Sequence, residues 1–292
     1  MSQPHQQVIH VGLVQMQMSA DPDDNLRRAL ANVKAAAQRG AQVVCLPELF
    51  RSRYFPQRED PSHFALAESI PGPTTESLSE AASKFNVILI VPVFEKRAPG
   101  LYHNAAVLID SHGAIIGVYR KMHVPDDPNF YEKYYFAPGD LGFRAFDTAH
   151  GKVGVLICWD QWYPEAARLT ALRGAQILFY PTAIGWHCSE PTEVREQQLA
   201  AWQIIQQSHA IANGVFVVAV NRVGVEEELT FWGASFVADP AGRILAQASR
   251  NQEEVLVVPC DLNRIEEQRH GWPFLRDRRV EAYDGLMERY LG

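Results

Sequence analysis

Cys158 closes the apolar run Val155-Leu156-Ile157 and is followed by Trp159-Asp160, at the point where a buried strand gives way to a helix. A thiol at such a junction meets the backbone N–H groups of the turn, which favour the thiolate and can stabilise an oxyanion. That makes Cys158 a candidate nucleophile for acyl transfer. The other reading, a small residue packed at a strand end, stays open, because free cysteine often does no more than fill a core. Cys45 and Cys260 lie inside apolar strands and read as core, while Cys188 lies in a polar loop with no strand-to-helix setting.

Glu48 follows Val43-Val44-Cys45-Leu46-Pro47, at the carboxyl end of a strand, where open α/β sheets hold their sites. A carboxylate in a partly desolvated pocket can carry a raised pKa and shuttle protons near neutral pH; a solvated loop glutamate is the alternative. Lys121 follows Val118-Tyr119-Arg120 at the end of a hairpin. Beside a carbonyl it would stabilise developing negative charge or help keep a thiol ionised. On its own it also reads as a solvated strand-end lysine, with Arg120 an equally basic neighbour.

The elements that must position these residues alternate between strand and helix. Val8–Val14 reads as a buried strand, and Asp21-Pro22-Asp23 starts a helix whose Leu26, Leu30, Val33 and Ala37 share one face before Gly40 stops it. Val43–Leu46 is the next strand, Thr74–Phe85 a helix and Val87–Phe94 a strand. A hairpin follows, with Ala105–Ile109 and Ala114–Tyr119 joined across Asp110-Ser111-His112-Gly113. Beyond it come a strand at Lys152–Ile157, a helix at Pro164–Arg173, a strand at Ile177–Tyr180 and a helix at Val194–Asn213. The last elements are a strand at Phe216–Asn221, a hairpin of Ser235–Ala238 with Ile244–Gln247, and an apolar run at Val255–Val258. The segment from Gly40 to Glu48 is echoed from Gly174 to Thr182, and the turn at Asp110–Gly113 is echoed at Asp239–Gly242. Two similar α/β layers packed through their sheets are expected, an αββα sandwich of four layers. No low-complexity linker divides them, so residues 1–292 read as one domain.

The 292 residues carry a formal net charge of −7, with 47% hydrophobic and 21% charged residues. That balance disfavours attraction to nucleic acid and to anionic membranes, and Arg276 to Arg279 is too short a basic stretch to change this. No apolar run approaches membrane-spanning length. Met1–Gln7 is polar and lacks the order of a signal peptide, so a cytoplasmic enzyme is expected. Four cysteines in a chain this long do not make a disulfide framework, and their spacing gives no structural zinc pattern.

Leu46-Pro47-Glu48, Tyr119-Arg120-Lys121-Met122-His123 and Ile157-Cys158-Trp159-Asp160 resemble, in order and spacing, the Glu, Lys and Cys signatures of the nitrilase superfamily of carbon–nitrogen hydrolases. The resemblance runs from the first strand to Arg276-Asp277-Arg278-Arg279. It implies the αββα sandwich, a catalytic set of Glu48, Lys121 and Cys158, no metal or organic cofactor, and a homo-oligomer. Glu132 matches a further glutamate that many members place beside the triad, for substrate positioning or proton transfer.

Longer segments, among them Cys158 to Arg168, Tyr180 to Gly185 and Arg269-His270-Gly271-Trp272, resemble members that act on a small carbamoyl amine. Related hydrolases of carbamoyl amino acids place arginines just after the nucleophile to hold a carboxylate. Trp159-Asp160-Gln161-Trp162-Tyr163 contains none. A cationic tail would instead want carboxylates or aromatic faces. Glu190, Glu193 and Glu196 lie beyond Ile184, with Glu190 or Glu193 the expected partner of the distal ammonium, and Tyr54, Trp159 and Trp186 are candidate walls. Members acting on nitriles, aliphatic amides or carbamoyl amino acids would use the same triad. An idle member kept as a binding protein is the contrasting class.

Overall fold

The computed structural model describes residues 8–292; the polar Met1–Gln7 lead lies outside the described residues. The first half of the chain holds β1 (Val8–Gln15), α1 (Pro22–Gln38), β2 (Val43–Cys45), α2 (Pro73–Phe85), β3 (Ile88–Ala98), β4 (Leu101–Ile109) and β5 (Ile115–Arg120). A short α3 (Glu132–Tyr135) precedes β6 (Ala145–Thr148), β7 (Gly151–Val155), α4 (Pro164–Leu172), β8 (Ile177–Thr182), β9 (Gly185–His187) and α5 (Thr192–Asn213). Then come β10 (Phe216–Asn221), β11 (Val223–Glu226), β12 (Leu229–Trp232), β13 (Phe236–Ala238), β14 (Ile244–Gln247), β15 (Glu254–Asp261) and α6 (Asn263–Gly271).

Strand order in one six-stranded sheet is β15-β1-β2-β3-β4-β5, and in the other β14-β13-β10-β8-β7-β6. Both follow one plan. Parallel strands β1, β2 and β3 correspond to β7, β8 and β10, each set continued by an antiparallel hairpin and flanked by one antiparallel strand. Even the hairpin turns match: the Asp110 carboxylate accepts from the His112 and Ala114 N–H groups, and Asp239 from those of Ala241 and Arg243. The internal repeat of the sequence is this repeated layer.

Side-chain alternation decides what each sheet face meets. Ile9, Val11 and Leu13 of β1, with Val43, Cys45, Ile88 and Ile90, join Val153, Val155, Ile177 and Phe179 in the core between the sheets. The opposite face, Val14, Val44, Leu89 and Val91, packs on Ala29, Val33 and Ala36 of α1 and Leu78 and Ala82 of α2. On the far sheet Ala166 and Ala167 of α4 and Leu199 and Trp202 of α5 supply the outer layer. The result is the expected αββα sandwich.

The structure adds what weak periodicity concealed. β3 and β4 pair well beyond the core, to a turn at residues 99–100, where Glu95, Lys96 and Arg97 hide the strand. A third, three-stranded sheet, β11-β12-β9, stands apart from the two main ones. No described helix is long and apolar enough to cross a membrane. Because β5 runs antiparallel to β4 and therefore with β3, the carboxyl ends of β2, β5, β7 and β8 share one edge of the sandwich.

Candidate active site

At that edge the chain leaves β7 and turns sharply. Cys158 has φ of +42°, a left-handed value that a residue with a side chain adopts only when its surroundings impose it, and it opens a 3-10 turn over Cys158–Trp162. The fully buried Asp160 holds this turn. One carboxylate oxygen accepts from the Ile157 N–H at 2.9 Å and the Tyr119 hydroxyl at 2.7 Å; the other accepts from the His123 backbone at 3.0 Å and lies 2.7 Å from its Nδ1. The His123 ring stacks on Tyr163 with centroids 3.6 Å apart. The Cys158 thiol is buried and donates to the Ala183 carbonyl, 3.7 Å away.

Lys121 is buried completely between two carboxylates, its Nζ 2.8 Å from Glu48 Oε1 and 2.7 Å from Glu132 Oε2. Asn104 on β4 donates to the same Glu48 oxygen at 2.6 Å, and the Tyr54 hydroxyl donates to Glu132 Oε1 at 2.6 Å. Gly139 secures the lysine's backbone: its N–H donates to the Lys121 carbonyl at 2.8 Å, and a Cβ there would lie 2.1 Å from the Arg120 carbonyl oxygen. Glu48 Oε2 is buried with no hydrogen-bond partner among the described residues.

The charges act on one another. Burial would strip the Lys121 proton, but Glu132, Glu48 and Cys158 outweigh it and hold the ammonium above its usual range. Burial, then the Glu48 charge, pushes the Glu132 carboxyl upward against Lys121. Burial and Glu48 likewise push the Cys158 thiol well up, with Lys121 opposing them. The turn and the lysine were expected to favour the thiolate. Desolvation wins instead, so the thiol keeps its proton until a base takes it. Such a thiol, beside a carboxylate with one free oxygen and an ammonium, can perform nucleophilic attack on a carbonyl with the proton passed internally.

A cavity of about 500 Å³ opens onto Cys158 and Glu132. Its wall carries Asp127 and Glu190 as acids, Trp159, Trp162 and Trp232 as aromatic faces, and no lysine or arginine among the described lining residues. The described residues include no group of three or more His, Cys, Asp or Glu side chains able to hold a metal ion.

Residues 10–270 match the Carbon-nitrogen hydrolase family. The chain belongs to that family. It is 43% identical over 289 residues to the N-carbamoylputrescine amidase of Solanum lycopersicum, across 96% of this chain and 95% of that one. It is 40% identical over 287 residues to the citrullinase of Francisella tularensis subsp. tularensis, across 97% and 99% of the two chains. The crystal structure of a carbon-nitrogen hydrolase from Helicobacter pylori G27 aligns with a TM-score of 0.95 at 46% identity, covering 97% of this chain and 100% of that one. The protein is therefore a hydrolase acting on carbon–nitrogen bonds of linear amides.

In this carbon-nitrogen hydrolase the sequence-predicted residues divide cleanly. Glu48, Lys121, Cys158 and Glu132 come together, and Trp159 and Glu190 line the cavity. Glu190 is oriented, accepting from the His187 N–H at 2.9 Å and from Gln198 Nε2 at 2.8 Å. Glu193 is not among the lining residues; it is exposed in the first turn of α5, where an acid suits the helix dipole. Glu196 pairs with Arg250 on the surface. Tyr54 is no wall of the cavity but a buried support for Glu132. Trp186 is also absent from the wall and packs against Trp232, centroids 5.2 Å apart. Asn104, Asp127 and Asp160 were missed. Asn104 carried a signal, a polar residue between His103 and the apolar run of β4, and Asp160 stands two residues after the cysteine; Asp127 lies in His123-Val124-Pro125-Asp126-Asp127-Pro128, a segment that also resembles family members, but nothing in it singled out that residue.

Proposed function

We propose that this carbon-nitrogen hydrolase converts N-carbamoylputrescine to putrescine, carbon dioxide and ammonia, with Cys158 as nucleophile, Glu48 as proton carrier and Lys121 as counter-charge to the oxyanion. The observation that carries the substrate is the cavity wall: Asp127 and Glu190 in addition to Glu132, with aromatic faces and no lysine or arginine among the described lining residues, suit a chain ending in an ammonium. Glu190, already oriented by two donors, is the assigned partner of that ammonium.

Glu48 takes the thiol proton as sulfur bonds to the ureido carbonyl carbon, and the carbonyl electron pair moves onto oxygen. Lys121 and the Trp159 backbone N–H stabilise that oxygen. Collapse of the tetrahedral species breaks the bond to the terminal nitrogen, which leaves as ammonia with the proton from Glu48. Glu48 then deprotonates a water that attacks the thiocarbamate, the carbon–sulfur bond breaks, and the proton returns to Cys158. The released carbamate loses carbon dioxide to leave putrescine. Glu132 holds Lys121 between the two carboxylates throughout.

The citrullinase relative favours a second substrate, which carries the same ureido group on a chain ending in both an ammonium and a carboxylate. That carboxylate would want an arginine or lysine on the wall. Turnover of N-carbamoylputrescine, citrulline and N-carbamoyl-β-alanine by the same preparation decides between them. N-carbamoylputrescine is expected to have by far the highest kcat/KM, and Glu190→Gln to raise its KM about tenfold or more. Preferred turnover of citrulline would overturn the substrate.

A homo-oligomer is part of the same proposal. Leu169 and Leu172 of α4, Ile204 of α5, and Leu286, Met287, Tyr290 and Leu291 near the C-terminus are all exposed apolar side chains, of a kind that subunit contacts cover.

A further inference from the structure

Arg222, just after β10, is buried completely, and no step of the proposed chemistry uses it. Its Nη2 donates to the backbone carbonyls of Glu48 at 2.8 Å and Leu49 at 3.0 Å. Its Nη1 reaches the Glu226 carboxylate at 2.9 and 3.1 Å and the Ser52 carbonyl at 3.4 Å. Glu226 in turn accepts from the Tyr54 backbone N–H at 2.5 Å. Arg222 and Glu226 therefore grip residues 48–54 at both ends.

That loop requires restraint. Leu49 has φ of +50°, a left-handed conformation that a residue with a Cβ adopts only at a cost. The loop also closes a ring, because Glu48 binds Lys121, Lys121 binds Glu132, and Glu132 binds the Tyr54 hydroxyl, which leads back along the chain to Glu48. We propose that Arg222, with Glu226 as its counter-ion, is a positioning residue for amide hydrolysis, setting the backbone of this loop so that the Glu48 carboxylate meets the Cys158 thiol. The inference rests on the roles proposed above for Glu48 and Cys158. A guanidinium suits the task because its donors form a fixed planar fork that spans three carbonyls and a carboxylate at once; a lysine carries the same charge on a single nitrogen.

Full-length Arg222→Lys and Glu226→Gln test this, with kcat and KM measured for N-carbamoylputrescine and substrate affinity measured for each change in a Cys158→Ala background. Arg222→Lys is expected to lower kcat about a hundredfold or more. Its binding constant should stay within about threefold, as for a group that acts on the reaction rather than on binding. Glu226→Gln, close to isosteric, should lower kcat at least about tenfold with the same unchanged affinity. Unchanged kcat in Arg222→Lys, or kcat and affinity falling in parallel, would overturn the proposal. If Arg222→Lys does not fold, Glu226→Gln decides by the same two readings. Turnover that survives Cys158→Ala would instead overturn the catalytic reading itself, so the two failures are distinguishable.

Discussion

Two carboxylates share the Lys121 ammonium, and their surroundings give them different work. Both oxygens of Glu132 are engaged, by Tyr54 and Lys121, whereas Glu48 keeps Oε2 without a partner among the described residues. Glu48 is thus equipped to take a proton, and Glu132 to hold the lysine. Removing one partner from so deeply buried a set costs about 3–5 kcal/mol, so Glu132→Ala should fall in both stability and rate, read by thermal unfolding and kcat together. The raised Cys158 thiol gives a pH test. Its pKa is displaced upward, so the thiol form dominates at neutral pH and the thiolate fraction grows tenfold with each pH unit below that pKa. Glu48→Gln should lose about 10²–10⁴ in kcat/KM. Its residual rate should then climb as pH rises from neutral, because burial, the largest cause of the raised thiol, remains when the Glu48 charge is gone, while the unaltered enzyme, which passes the proton internally, does not climb in this way. A kcat/KM unchanged by Glu48→Gln would show that Glu48 is not the thiol's base.

The turn after β7 and the loop after β2 are the elements that do the placing, and both rely on buried polar side chains. Asp160→Ala would leave the Ile157 N–H, the Tyr119 hydroxyl and the two His123 donors without their acceptor. At about 1–3 kcal/mol for each buried donor left unpaired, a loss of several kcal/mol is expected by denaturant unfolding. A second polar knot ties down the extension of β3, β4 and β5, where Arg120 binds Glu95 and Asp140. Hydrogen bonds from Arg97 and Arg120 draw the Asp140 carboxyl down to about 2. A depressed carboxyl stabilises above its unfolded value and loses that contribution as pH falls toward 2. Asp140→Asn should therefore cost a little stability at pH 7 and progressively less as pH falls through about 2, the effect being small because the pair is half-exposed. The strands and helices with clean apolar periods, β1, α1, β2, α2, β8 and β10, were legible in the sequence because burial imposes those periods. α6 was not, since Asn263-Arg264-Ile265-Glu266-Glu267 has too few apolar residues to reveal one, and β9, β11 and β12, of three or four residues each, are too short to show an alternation. The clustering of Glu48, Lys121 and Cys158 was legible through motif order. Its supports Asn104, Tyr54 and Arg222 act through contacts between distant segments, so a local pattern can mark the residue, as at Asn104, but not its partner.

Across the whole molecule, the two matched layers bring the carboxyl ends of β2, β5, β7 and β8 to one edge, and only that convergence makes residues 48, 121 and 158 neighbours. The repeat that foretold the sandwich also explains why one half supplies Glu48 and Lys121 and the other Cys158. The exposed apolar residues of α4, α5 and the C-terminal segment belong to this scale as well. Sedimentation should report more than one chain per particle, and Ile204→Lys, at a side chain 65% exposed, should shift the particle toward the single chain without unfolding it. The most direct test of the chemistry is mass spectrometry of enzyme quenched in acid during turnover of N-carbamoylputrescine. The Cys158 peptide should carry the substrate less ammonia, with no adduct and no turnover in Cys158→Ala. Turnover persisting in Cys158→Ala, or an adduct on any other residue, would contradict the mechanism.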